Sequence, residues 1–175
     1  MDSVDRKILN ILQSDAKTPN AELARQVGMA ASAVLERVRK LEERGVIRGY
    51  EARLDPKALD YGLLAYVLVR TDERVGGPQA QGALADIPEV QEVHHVAGED
   101  CFLLKVRVAN TDALSALLKN RIGAIPTVRS TNTTIVLQTV KESAAIPVEL
   151  GAAELSPTDQ SSSAAASTRG GAASE

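Results

Sequence analysis

Aromatic side chains are almost missing from this chain: 175 residues include no tryptophan, one phenylalanine and three tyrosines. A surface that holds single-stranded nucleic acid by stacking its bases needs several exposed rings, so that mode lacks its main contact. Cysteine is as scarce. Cys101 is the one thiol and His94 and His95 are the two imidazoles, which rules out an internal disulfide and falls short of a structural zinc ligand set. Excess positive charge is missing too, since 20 Lys and Arg against 23 Asp and Glu leave a net charge of -3. Coating nucleic acid indiscriminately takes a broad cationic surface, so any DNA contact must come from a local patch. The longest apolar run, Leu63 to Val69, is far short of the ~20 residues that cross a bilayer. Acidic Asp2 and Asp5 stand where a secretory signal would be basic. These absences point to a cytoplasmic protein with no membrane, metal or cofactor role.

What is present falls into zones. Hydrophobic residues make up 44% of the chain, enough for one medium core or two small ones. Asp2 is a good N-cap with Asp5 in capping-box position, and Val4, Ile8, Leu9, Ile11 and Leu12 share the face of a helix that ends near Ser14. Thr18 and Pro19 predict the start of a second helix, with Leu23, Ala24 and Val27 inward and Gly28 as its stop. Val34, Val38 and Leu41 then repeat at helical spacing until Gly45. Beyond Leu63 the period changes: β-forming runs at Leu63 to Val69, Val90 to Val96, Phe102 to Val108 and Thr133 to Val140 predict four strands. Helical segments at Gln79 to Ile87 and Thr111 to Ile122 interrupt them. The order β-α-β-β-α-β is that of a ferredoxin-like domain.

The predicted fold class is therefore α+β: a three-helix, winged-helix-like helix-turn-helix domain at residues 1–48, a linker at 49–62, and a ferredoxin-like sensor at 63–148. A tail at 149–175, mostly Ala, Ser and Gly, has too little apolar area to offset its ordering entropy and is expected to be disordered.

The second and third helices carry the first functional signal. In a helix-turn-helix the third helix lies in the major groove, so it must cross the second closely through a tight turn. Ala24 permits the close approach, Gly28 the positive φ, and Val34 with Val38 plug the crossing. With that face inward, Ser32, Ala33, Leu35, Glu36 and Arg39 point out and Arg37 and Lys40 flank them, making these the candidate DNA contacts. A solvated amphipathic helix of a structural bundle shows the same periodicity, because Glu36, Glu42 and Glu43 dilute the basic patch.

The runs Asp2 to Leu9, Ala21 to Gly28, Glu36 to Glu42 and Gly45-Val46-Ile47 resemble those of the leucine-responsive/asparagine regulator (Lrp/AsnC, or feast/famine) family. The likeness continues through Leu54-Asp55-Pro56, Gly98 to Val106 and Thr133 to Leu137. It implies a transcription regulator of the bacterial nucleoid: a homodimer joined through its sensor sheets, often assembled into octamers or larger arrays, with double-stranded DNA and a small-molecule effector, an amino acid, as its other partners. It further implies effector contacts at Gly98, Glu99 and Asp100 and on the facing strand at Ser130, Thr131, Thr133 and Ile135. Backbone amides near Gly98 suit a carboxylate, and Glu99 or Asp100 an ammonium; an ordinary hairpin turn uses the same residue types. Two positions depart from the family pattern. Ala30 replaces the frequent capping Ser of the third helix, and Asp60 replaces a frequent Gly after the Pro56 to Leu59 turn.

Three other functions compete. The βαββαβ order also occurs in RNA-recognition modules, but the third strand lacks their repeated aromatics. An enzyme needs a nucleophile, base and orienting group, whereas His94 and His95 alternate across a strand and Cys101 suits a small buried hydrophobe. A metabolite-binding module that controls a partner protein without touching DNA fits the same fold, and a DNA-binding assay separates it.

Overall fold

The computed structural model describes residues 1–72, 78–98 and 101–149. Contacts divide the described residues into two compact units, one formed by Met1–Ala52 with residues 143–149, the other lying within Arg53–Glu142. No helix among the described residues is long and apolar enough to cross a membrane.

The first unit holds three helices, α1 (Ser3–Ser14), α2 (Asn20–Val27) and α3 (Ala31–Glu43). The anticipated capping box opens α1: the Asp5 amide donates to Oδ1 of Asp2 at 2.8 Å and the Asp2 amide to Oδ2 of Asp5 at 3.3 Å. Two orphan amides are thereby satisfied. Pro19 occupies the cap position of α2 instead of its first turn, and the Thr18 hydroxyl bonds back to the Asp15 carbonyl. Ile8, Leu9, Leu23, Ala24, Val34, Val38 and Leu41 form the core. This unit contains no strand among its described residues, so it is three helices without a wing.

The chain returns to this unit after the sensor. Gln13 clasps Ile146 from both sides, donating to its carbonyl at 3.0 Å and accepting from its amide at 2.7 Å. Asn10 donates to the Val148 carbonyl and Arg6 to that of Glu149, while the Val148 side chain packs on the helical core. Arg6, Asn10 and Gln13 recur at helical spacing, which puts all three on one face of α1. The final segment thus groups with the helices, where the sequence boundary had kept residues up to 148 in the sensor.

The second unit is βαββαβ: β1 (Leu63–Thr71), α4 (Pro78–Ala85), β2 (Val90–His95), β3 (Phe102–Val108), α5 (Thr111–Leu117) and β4 (Val128–Ile135). The sheet is antiparallel in the order β2-β3-β1-β4. Alternate residues of β1 and β3, including Val67, Val69, Leu104 and Val106, face α4 and α5 and are fully buried with Leu84, Leu114 and Ile122. After Leu117 the helix widens into a π turn closed by the Gly123 amide on the Leu118 carbonyl at 2.8 Å. A Cβ on Gly123 would stand 2.9 Å from that oxygen, so the closure requires glycine.

One strand differs from expectation. β4 begins at Val128 and ends at Ile135, leaving Leu137 and Val140 almost fully exposed. The edge amides and carbonyls of β1 need a partner from Ala65 to Thr71, and residues 128–135 supply it despite their polarity. The turn at Asp60 survives as expected, with φ 61°.

Candidate nucleic-acid interface and effector region

Geometry at the α2–α3 turn is set by backbone chemistry. Gly28 adopts φ 71°, and the amides of Gly28 and Met29 both donate to the Ala24 carbonyl, satisfying the end of α2. The crossing that results buries Ala24, Val34 and Val38 together. Ala30 caps α3 with no side-chain hydrogen bond, the deficit foreseen from its residue type.

The predicted DNA contacts separate into two groups. Ser32, Leu35, Glu36, Arg39 and Lys40 are exposed on the outward face of α3, whereas Ala33 and Arg37 are half-buried on its flank. Glu36 lies 3.5 Å from Lys40 and 3.8 Å from Arg39, and Arg39 also lies 3.2 Å from Glu43. The outward cations are therefore paired along the helix. Leu35 is an apolar residue left in water on this face, 53% exposed. Beside it a shallow groove runs between α3 and the start of α2, lined by Leu12, Pro19, Leu35, Val38 and Tyr50 among others. The Tyr50 hydroxyl donates to Glu42 at 2.9 Å, and partial burial followed by that carboxylate pushes its ionisation up.

Arg37 turns away from the outward face. One of its terminal nitrogens donates to Oδ2 of Asp2 at 2.6 Å and to Oδ1 of Asp5 at 2.7 Å. The capping hydrogen bond from Asp5, then Arg37, hold the Asp2 carboxyl below its usual range. Sequence patterning could not find this cluster, because its members lie 35 and 32 residues apart. On α2, Arg25 and Gln26 donate to Glu22 at 2.6 and 2.7 Å, which brings its carboxyl down to about 2.

In the sensor, the β2–β3 hairpin closes through the Val96 amide on the Cys101 carbonyl, and Gly98 takes φ 132°. Glu99 and Asp100 lie outside the described residues. Thr131, Thr133 and Ile135 sit opposite Val69, Val67 and Ala65, which are core residues, so they share the helix-covered face. Ser130 sits opposite Arg70 and points to the other face. Thr133 and Ile135 line an open groove with Thr111, Leu114, Ser115 and Lys119.

The opposite face of the sheet carries no helix among the described residues. Lys105 there donates to Glu92 at 3.1 Å and to Glu142, while Arg107 donates to Glu142 at 2.9 Å and to Gln91 at 3.1 Å. Both cations are nearly buried, with 12 and 13% of their side chains exposed. Lys105 chiefly holds the Glu142 carboxyl below its usual range, and His94, 3.0 Å away, chiefly does so for Glu92. His95 instead sits beside Phe102, so the two imidazoles do alternate across the strand. Cys101 packs half-buried against the core. No group of His, Cys, Asp and Glu among the described residues could hold a metal ion.

Comparison with known proteins matches residues 1–42 to an AsnC-type helix-turn-helix domain and residues 64–146 to an Lrp/AsnC ligand binding domain. The HTH-type transcriptional regulator FL11 of Pyrococcus horikoshii is 40% identical over 149 residues, which span 85% of this chain and 97% of that one. The leucine-responsive regulatory protein of Escherichia coli is 40% identical over 147 residues, 82% of this chain and 88% of that protein. The feast or famine regulatory protein of M. tuberculosis, solved in complex with L-methionine, superposes with a TM-score of 0.78 at 38% identity, covering 85% of this chain and 99% of that one.

Proposed function

This chain belongs to the Lrp/AsnC family of DNA-binding transcriptional regulators, and from that premise we propose that it reads operator DNA with the outward face of α3 and changes that binding when its sensor takes up a free amino acid. The observation that carries the proposal is the α2–α3 geometry: a left-handed Gly28 turn presents Ser32, Leu35, Glu36, Arg39 and Lys40 together on an exposed helix. Their chemistry suits base edges. Arg39 can pair with a guanine, Ser32 with either a donor or an acceptor, and Leu35 can meet a thymine methyl; Lys40 suits a phosphate. Ala33 contributes closeness of approach from the flank.

The effector class follows from a relative solved with L-methionine. In this chain a carboxylate would meet amides near Gly98 and an ammonium would meet Glu99 or Asp100, with Ser130, Thr131, Thr133 and Ile135 as the neighbouring strand. Two copies pair through their sensor sheets, and pairs assemble further to octamers or larger arrays. A dimer of this kind meets two half-sites about one helical turn, ~34–36 Å, apart. Its place is the cytoplasm, on the nucleoid.

Fluorescence anisotropy on the chain's own upstream DNA, against unrelated competitor DNA and with or without each of the twenty amino acids, tests the proposal. Preference for upstream DNA that at least one amino acid shifts by about 5- to 150-fold is the expected result. Preference without any shift removes the effector assignment. Absence of preference favours a sensor that controls a protein partner without DNA.

A further inference from the structure

Arg37 belongs to the recognition helix by sequence but faces away from its outward side. Apolar contacts through Val34, Val38 and Leu41 fasten α3 to the bundle and fix which face is buried, but such contacts are non-directional and set the fine angle of the helix about its axis less sharply than a hydrogen bond does. The Arg37 contact differs in kind. Both hydrogens of one guanidinium nitrogen are used, at 2.6 and 2.7 Å, on carboxylates that are already fixed to each other as the capping box of α1. Charge-assisted hydrogen bonds of this length are directional and set an angle as well as a distance. Asp5 has only 13% of its side chain exposed and Arg37 only 31%, so water screens this pair less than the paired cations on the outward face.

We propose that the Asp2–Asp5–Arg37 cluster is a positioning latch for DNA recognition: it locks the rotation of α3 against the N-terminus of α1, and Arg37 acts through helix placement without itself contacting DNA. The inference rests on α3 being the reading helix and assigns a different role to one of its cations. Its consequence runs against simple electrostatics. Removing two carboxylates from a protein that binds a polyanion strengthens binding if charge alone matters, whereas removing them from a latch weakens it.

Full-length chain carrying Asp2→Asn with Asp5→Asn provides the test, since asparagine still caps a helix and the fold is kept. Arg37→Gln and the triple variant complete the set. Upstream and competitor DNA are titrated over a range of salt, well below the melting temperature of each variant. The latch predicts that the Asn pair and Arg37→Gln each lose roughly tenfold in preference for upstream DNA, and that the triple variant loses no more than either. The dependence of log affinity on log salt stays at its wild-type slope, because no phosphate contact is lost. A role confined to stability would move the melting temperatures and leave the preference of the folded protein unchanged, overturning the proposal. So would the opposite pattern, in which the Asn pair binds as tightly as wild type or more tightly while Arg37→Gln flattens the salt slope by about one phosphate contact. Wild-type chain that shows no preference for upstream DNA would instead refute α3 as the reading helix, a failure seen before any variant is compared.

Discussion

Glu36 stands between Lys40 at 3.5 Å and Arg39 at 3.8 Å on the outward face of α3. Both cations must be released, wholly or in part, before they can meet DNA, so Glu36 tunes how readily the face binds any duplex. Glu36→Gln should raise affinity for unrelated DNA several-fold and steepen the salt dependence by up to about one unit per phosphate newly contacted. Anisotropy over about 50 to 200 mM salt measures it, and an unchanged slope would mean that Arg39 and Lys40 do not reach phosphate. Most of the outward residues were legible from periodicity, since Val34, Val38 and Leu41 fix the buried stripe, but Ala33, expected outward, lies half-buried on the flank. The partner of Arg37 was not. A carboxylate far away in sequence becomes a neighbour only once two helices have packed, and a single sequence records no such pairing.

Helices and strands were legible to different degrees, for reasons visible in their patterns. The three helices of the first unit announce themselves because apolar spacing and the Gly28 stop agree, with a side-chain cap at α1 alone. β1, a continuous apolar run, and β3, which alternates, carry strong signals and were placed well. β4 was not, because an edge strand with mostly exposed side chains carries a weak apolar signal, while Val136, Leu137 and Val140 mimic a buried run beyond its end. The return of residues 143–149 to α1 was equally hidden, as it depends on Gln13, Asn10 and Arg6 meeting backbone groups of whatever sequence lies there. At α3 the missing cap leads to a prediction. Ala30→Ser should stabilise the helical unit by about 0.5–2 kcal/mol, since a hydroxyl would accept from an amide in the first turn of α3. Urea unfolding followed by helical circular dichroism measures the gain, and no gain would show that those amides already have a partner in solution.

Two units with separate cores give the whole molecule two places to respond to its surroundings, and the sensor's charged sheet face makes one of them sensitive to acid. Glu142 accepts from Lys105 and from Arg107, and the Lys105 bond is the main reason its carboxyl ionises below the ordinary value of 4.5. A carboxyl depressed on folding contributes stability above its unfolded value, and that contribution disappears as pH falls through the folded value. Lys105 ionises above its ordinary 10.5, again mainly through Glu142, so its share is present below that pH and fades as pH rises through the raised value. Glu142→Gln keeps the shape and removes the charge. The melting temperature of the sensor should therefore fall in this variant near neutral pH, and the gap from wild type should close as pH is lowered below about 4.5. Melting curves at stepped pH, followed through near-ultraviolet tyrosine signals of Tyr61 and Tyr66 on this unit, measure the gap. A gap that persists unchanged in acid would assign Glu142 to packing over the sheet; a gap that closes assigns it to charge.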